Sequence, residues 1–211
     1  HKILYEFDED GRAGDILVYP ITTGNYNVGL NTFVMNKDFL ESLIYDAIAR
    51  NHKDFSYDVL AARVHSLRIY GYEYKGFYAH IDSLQSYYEN SMKLLNIDTL
   101  QNIFYSKTGP IYTKTKDSAP TKYCCDAVVK NSLVASGCLI EGTVENSIIF
   151  RGVKIGRNAV VKNSIIMQHG IIGDNAQLNS IITDTYAYVN KDRVLLGYSN
   201  CPFFIKKNSV I

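Results

Sequence analysis

Between Asp126 and Val189 aliphatic and polar positions recur with a period of about six residues. Each unit has an aliphatic, then small or polar residues, often Gly or Asn, then a small residue before the next aliphatic. The wording repeats almost verbatim. Val129-Lys130-Asn131-Ser132-Leu133-Val134 returns as Val144-Glu145-Asn146-Ser147-Ile148-Ile149, again as Val161-Lys162-Asn163-Ser164-Ile165-Ile166, and then as Leu178-Asn179-Ser180-Ile181-Ile182. The Asn positions advance by 15, 17 and 16 residues. A second phrase keeps step: Ile155-Gly156-Arg157-Asn158-Ala159 recurs as Ile172-Gly173-Asp174-Asn175-Ala176, with Ile140-Glu141-Gly142-Thr143-Val144 a looser copy.

Units this short, rich in β-branched residues and Gly, do not make helices. They predict a solenoid of short parallel strands, with one aliphatic per side pointing inward and three units per coil. Gly and Asn fall where the chain must turn, because both tolerate positive φ. Equivalent residues then stack about 4.8 Å apart. Asn131, Asn146, Asn163 and Asn179 are expected to form a hydrogen-bonded ladder at one corner. Val194 to Ile211 keeps strand-like runs without the six-residue phase, as an atypical terminal coil does.

Upstream the pattern changes. Lys2 to Phe7 and Asp15 to Val18 alternate around Asp8-Glu9-Asp10-Gly11, which predicts a hairpin. Asn27 to Met35 reads as a buried strand, and Asn36 as the cap of a helix with Phe39, Leu40, Leu43, Ile44, Ala47 and Ile48 on one face. Asp54 to Val64 predicts a short helix, Leu67 to Tyr74 and Gly76 to His80 short strands, Ser83 to Leu95 an amphipathic helix, and Ile97 to Phe104 a last helical segment. Mixed elements make residues 1–104 an α/β or α+β unit that reads as the back half of a larger sheet domain. Gly109, Pro110, Pro120 and several Thr and Ser residues mark 105–125 as a linker, with the solenoid at 126–211.

Composition narrows the classes. The chain is 46% hydrophobic and 20% charged with net charge +1, an ordinary globular balance that gives no push toward nucleic acid or an anionic membrane. Cys124, Cys125, Cys138 and Cys201 show neither paired nor metal-ligand spacing, so reduced thiols in a cytoplasmic protein are expected. No apolar run has membrane-spanning length and no signal peptide is visible. His169, within the coils, could serve as the general base of a hexapeptide acyltransferase; a solvent-facing turn residue is the plainer reading. The tyrosines Tyr70, Tyr72, Tyr74, Tyr78, Tyr87 and Tyr88 lack a basic stripe beside them, so packing is expected of them rather than base stacking.

The hexapeptide pattern resembles the left-handed parallel β-helix family, and an α/β unit feeding it through a Pro-containing linker resembles the sugar-phosphate nucleotidyltransferases. Gly76-Phe77-Tyr78-Ala79-His80-Ile81-Asp82-Ser83-Leu84-Gln85-Ser86-Tyr87-Tyr88 is similar to the G-Y-W-x-D-V-G-T-I-x-x-Y-Y stretch of glucose-1-phosphate adenylyltransferase. Pro110-Ile111-Tyr112-Thr113, Pro120-Thr121-Lys122-Tyr123 and Val144-Glu145-Asn146-Ser147 look like that family's linker and first coils. Gly24-Asn25-Tyr26-Asn27-Val28-Gly29 stands where the family has its sugar-phosphate pocket, so Asn25, Tyr26, Asn27 and Gly29 are identified as a pocket remnant. The resemblance implies the back half of a Rossmann-like α/β domain followed by the β-helix.

Departures matter equally. The family's magnesium-binding Asp is His80 here, and its Gly-Thr is Asp82-Ser83. Magnesium wants hard oxygen ligands, so His80 and Asp82 read as a degenerate metal site, with Asp82 capping the helix that follows. The triphosphate-cradling Gly-rich loop lies earlier in the family than this chain begins. The resemblance thus implies a non-catalytic, regulatory (GlgD-type) subunit with no cofactor of its own, magnesium residing in a catalytic partner. It further implies homo- or hetero-oligomers, tetramers in the family. A phosphate or sugar-phosphate effector is expected at Lys114, Lys116, Lys122, Arg151, Lys154 and Arg157, where cations meet linker and early coils. The open alternatives are an active nucleotidyltransferase whose front half lies outside this sequence, and the acyltransferase.

Overall fold

The computed structural model describes residues 3–18, 26–105, 109, 111–113 and 115–211. They form a small α/β front part and a parallel β-solenoid, as the periodicities predict. The chain divides into two compact units, His1–Lys75 and Gly76–Ile211.

In the first unit, β1 (Ile3–Phe7) and β2 (Ala13–Val18) form the expected antiparallel hairpin. The Asp8 carboxylate accepts from the amides of Asp10 and Arg12 at 3.1 and 2.8 Å, and Gly11 takes φ +76° to close the turn. The expected strand Asn27–Met35 shrinks to β3 (Asn27–Val28), paired with Leu4 and Tyr5 of β1. Once the Gly29 amide has reached the Ile3 carbonyl at 2.8 Å, the described part of β1 offers no further partner. Val34 is consequently 98% exposed rather than buried.

Helix α1 (Lys37–Ala49) starts at Asn36, whose side chain accepts from the Asp38 amide at 2.9 Å. Its apolar stripe is mostly open: Leu43 is buried, whereas Phe39, Ile44 and Ile48 are exposed. The segment expected as a short helix is a π turn, Phe55–Leu60, running into a 3-10 turn, Ala61–Arg63. Asp46 ties it to α1 by ion-pairing both Arg63 and Arg50. Those two guanidinium groups hold the Asp46 carboxyl below the usual carboxylate range.

Neither 67–74 nor 76–80 becomes a strand. Arg12 and Tyr70 form one isolated bridge, beyond which the alternating tyrosines find no sheet edge.

The second unit opens with α2 (Leu84–Met92), a 3-10 turn at Lys93–Leu95 and α3 (Ile97–Phe104). Sequence patterning placed these helices with the front domain. In the structure α2 packs on the solenoid, and they belong to the same compact unit as it. The cap of α2 is Ser83, not Asp82. Ser83 Oγ accepts from the Ser86 amide, and Ser86 Oγ accepts from the Ser83 amide, both at 3.0 Å.

The solenoid has three flat faces of five parallel strands each. The first comprises Lys122–Tyr123, Leu139–Ile140, Lys154–Ile155, Ile171–Ile172 and Tyr188–Val189. The second runs from Val128–Lys130 to Val194–Leu196, and the third from Leu133–Val134 to Phe203–Ile205. Lys122 and Tyr123 thus already belong to the first coil, four residues ahead of the boundary expected at Asp126. Val144, Ile149, Ile155, Val161, Ile166, Ile172 and Val189 fill the interior at 0–1% exposure.

Corners are built by left-handed residues. Asn131, Asn146 and Asn163 take φ of 42°, 47° and 46°, but the fourth corner is Ser180 at 56°. Asn179 pairs with Lys162, one position earlier, because the full coil is 17 residues and not 16. The Asn163 amide still reaches the Asn179 side-chain oxygen at 2.9 Å, as Asn131 reaches Asn146 at 2.8 Å.

The three middle rungs of the third face are covered on both sides. Ile149 and Ile166 point inward, while Ile148, Ile165 and Ile182 point outward under Tyr87, Tyr88 and Met92 of α2. The Tyr88 hydroxyl donates to the Asn163 carbonyl at 2.6 Å. Tyr88→Phe is expected to lower stability by about 1 kcal/mol, read as a lower urea midpoint at unchanged slope. Burial raises the Tyr88 phenol above its ordinary value. Its contribution is therefore complete below about pH 10, the unfolded phenol's range, and is lost as pH climbs through the raised folded value.

Candidate functional site

The outer surface of the first face carries a column that alternates by rung: Lys122, Leu139, Lys154, Ile171, Tyr188. From Leu139 onward each of these precedes a buried residue by one position, so the strand's two-residue period turns it outward, and Lys122 shares Leu139's register. Lys122 and Lys154 are exposed, and among the described residues neither has a carboxylate within ion-pair distance. Leu139, Lys154, Ile171 and Tyr188 of this column floor a shallow groove of about 450 Å³, bordered by Glu141, Asp174 and Lys191; Lys122 continues the column on the rung before Leu139, outside the groove's lining.

The effector candidates converge only in part. Lys122 and Lys154 share this column, two rungs apart. Arg157 lies at its trailing border, its Nε 3.9 Å from Glu141 Oε1, and Arg151 sits at the corner leading into Lys154. Lys116 is exposed in an irregular stretch, and Lys114 lies outside the described residues.

At the candidate metal remnant Asp82 is engaged at the start of α2, and the buried His80 Nε2 has no hydrogen-bond partner among the described residues. His80 Nε2 stands 3.6 Å from Asp82 Oδ2, and Ser86 Oγ donates to Asp82 Oδ1 at 3.1 Å. The Ser86 hydroxyl, then the field of His80, hold the Asp82 carboxyl below its usual range. Of the pocket remnant, Asn25 lies outside the described residues, Tyr26 is half-buried and Asn27 is exposed in β3. Gly29 makes room for the Tyr5 ring, which itself stacks on Phe7 with centroids 5.8 Å apart.

His169 is a corner residue with φ +58°, stacked on Tyr186 at 5.0 Å between ring centroids. A side chain at Gly152, one coil earlier, would strike the same imidazole. His169 is thus part of a packed corner column.

Two features escaped the sequence reading. The serines of the repeat are a buried relay: Ser132 Oγ accepts from the Ser147 amide, Ser147 Oγ from Ser164 and Ser164 Oγ from Ile181, each at 3.1 Å. The doublets Ile148-Ile149, Ile165-Ile166 and Ile181-Ile182 were the visible signal of a face covered on both sides. The last coil leaves Val194, Leu196, Tyr198, Phe203 and Val210 exposed beside strands with one unpaired edge, and Leu196 is 67% exposed. Among the described residues no helix is long and apolar enough to cross a membrane.

Comparison with known proteins bears out the resemblance. Residues 119–200 match the family model described as GlmU-like, C-terminal hexapeptide. The chain is 39% identical to the glycogen biosynthesis protein GlgD of Bacillus subtilis, covering 86% of this chain and 52% of that protein. It is 48% identical to the GlgD protein of Geobacillus stearothermophilus over 56% of this chain and 45% of that one. The glucose-1-phosphate adenylyltransferase of Thiobacillus denitrificans is 30% identical over 86% of this chain and 44% of its own length. The chain spans about half the length of the curated relatives it matches.

Proposed function

We propose, from this kinship with GlgD proteins and glucose-1-phosphate adenylyltransferases, that the chain is part of a non-catalytic, regulatory subunit in glycogen biosynthesis. In this reading it assembles with a catalytic partner, which joins ATP and glucose 1-phosphate into ADP-glucose and pyrophosphate. Magnesium would bind in that partner. The observation that carries the reading is the pair His80 and Asp82. The position equivalent to the family's metal-binding carboxylate presents an imidazole, and the neighbouring carboxylate is committed to Ser86 at a helix cap. Adenylyl transfer needs carboxylate-held magnesium to offset developing phosphate charge, and an imidazole facing Asp82 is a poor substitute.

Assembly is supported by the last coil. Its exposed aliphatic and aromatic side chains flank open strand edges, which soluble proteins normally cover or blunt. Regulation then acts by differential contact: the subunit favours one state of its partner.

The test is pyrophosphate release from ATP and glucose 1-phosphate by the full-length protein, alone and mixed with a catalytic subunit. Negligible activity alone, with a raised rate or altered effector response in the mixture, is expected, and His80→Asp is expected to leave the solo rate negligible. Robust solo activity that is abolished by changing His80 or Asp82 would sink the reading and assign those residues to a rebuilt metal site.

A further inference from the structure

We propose that the outer column of the first face is a docking strip for an amphipathic helix of a partner polypeptide, one that presents carboxylates to Lys122 and Lys154 and aliphatic side chains to Leu139, Ile171 and Tyr188. The same solenoid shows how such a column is covered. On the third face the outward Ile148, Ile165 and Ile182 are packed under Tyr87, Tyr88 and Met92 of a helix. The first face carries a comparable column with cations interleaved, and nothing in the described chain lies over it.

The spacing suits a helix lying along the solenoid axis. Rungs repeat about every 4.8 Å and helix turns about every 5.4 Å, so successive turns keep step with successive rungs over the strip. Lys122 and Lys154 are two rungs apart, about 9.6 Å, which matches carboxylates two helical turns apart, near i and i+7. The residue between them, Leu139, asks for an aliphatic at i+3 or i+4.

Charge complementarity selects the occupant. Among the described residues the two lysines have no carboxylate within ion-pair distance, while Glu141 and Asp174 border the groove beside Lys191. A mixed-charge border around a striped floor suits a polypeptide and disfavours a small multivalent anion, which the two carboxylates would repel. The proposal rests on the regulatory-subunit reading, and it names the catalytic subunit as the chain that supplies the helix.

The experiment uses the full-length protein and a catalytic glucose-1-phosphate adenylyltransferase subunit, with the Kd of the complex measured at low and high salt. The paired substitution Lys122→Glu and Lys154→Glu is compared with Lys130→Glu on the second face. All three lysines are exposed, so the fold is retained. A photo-cross-linking residue at Ile171 reports what lies over the strip. The expected result is at least a tenfold weaker complex for the pair and an unchanged one for Lys130→Glu. The cross-link should map to a helix bearing Glu or Asp, and exchanging those acids for Lys should restore binding to the paired variant. A complex of unchanged affinity with no cross-link from position 171 overturns the strip and leaves the regulatory reading standing. If the unaltered proteins form no complex at all, the regulatory reading falls and the strip falls with it.

Discussion

Replacing Ile165 with Asp is expected to cost about 3–5 kcal/mol and to lift α2 off the solenoid, the range for an uncompensated buried charge. Ile165 is fully buried, yet it points away from the solenoid interior. It lies between Ile148 and Ile182 on the third face and beneath Tyr88. Ile165 packs among Tyr87, Tyr88, Met92, Ile148 and Ile182, so an ionised carboxylate there would be set among apolar groups. Ile165→Val keeps the contact and removes one methyl group, for an expected cost of about 0.5–1.5 kcal/mol. The two variants separate two ideas of the face. If its outer side is merely a solvated surface, both changes fall within about 0.5 kcal/mol of the parent. If α2 is part of the core, urea denaturation shows the Asp variant far below the Val variant. Limited proteolysis within 76–105 should then accelerate in the Asp variant, because the helix has lost its seat.

That two-sided face shows what the sequence could convey. The six-residue recurrence specified the solenoid, since an aliphatic placed once per short strand has one inward solution. The spelling Asn-Ser-Ile-Ile at 163–166 told more than its period: the second Ile builds the interior, and the first announces a covering layer. Which helix covers it was not legible, because the tyrosines of α2 could equally have faced a sheet in the front unit. The strands expected at 27–35 and 67–74 failed for the opposite reason. Alternation shows that a segment could pair, and the partner edge decides whether it does; Tyr72, alternating correctly, ends 92% exposed. The same limit applied to the candidate site. Basic residues were visible one by one, but their grouping depends on coil register. Register puts Lys122 and Lys154 in one column and leaves Lys116 in an irregular stretch. Asn179 looked like the fourth rung of a ladder until the 17-residue coil gave the left-handed corner to Ser180.

The uneven repeat leads to the other large expected effect, at Gly142. From Leu139 to Lys154 the coil advances 15 residues, whereas from Lys154 to Ile171 it advances 17. The missing two residues are at one corner: Ile155 and Val160 are separated by Gly156-Arg157-Asn158-Ala159, whereas Ile140 and Thr143 are separated only by Glu141-Gly142. The shortened corner presses Gly142 onto the next coil. A Cβ there would meet the Ala159 carbonyl oxygen, with the Gly156 carbonyl oxygen at 2.7 Å and the Ala159 nitrogen at 3.0 Å. All three are backbone atoms, so no rotamer change relieves the contact and the coils must separate. Thr143 and Ala159 share a backbone hydrogen bond of 2.7 Å at the same spot, which that separation would stretch. Gly142→Ala is therefore expected to cost about 3 kcal/mol, the upper end of the overpacking range. The diagnostic control restores the long corner by replacing Glu141-Gly142 with a copy of Gly156-Arg157-Asn158-Ala159. That variant should fold with stability near the parent, because its Asn can take the left-handed turn that Asn158 and Asn175 take, at φ 56° and 59°. Were Gly142→Ala to cost under about 1 kcal/mol by urea denaturation, tight stacking at the short corner would not be what demands glycine there.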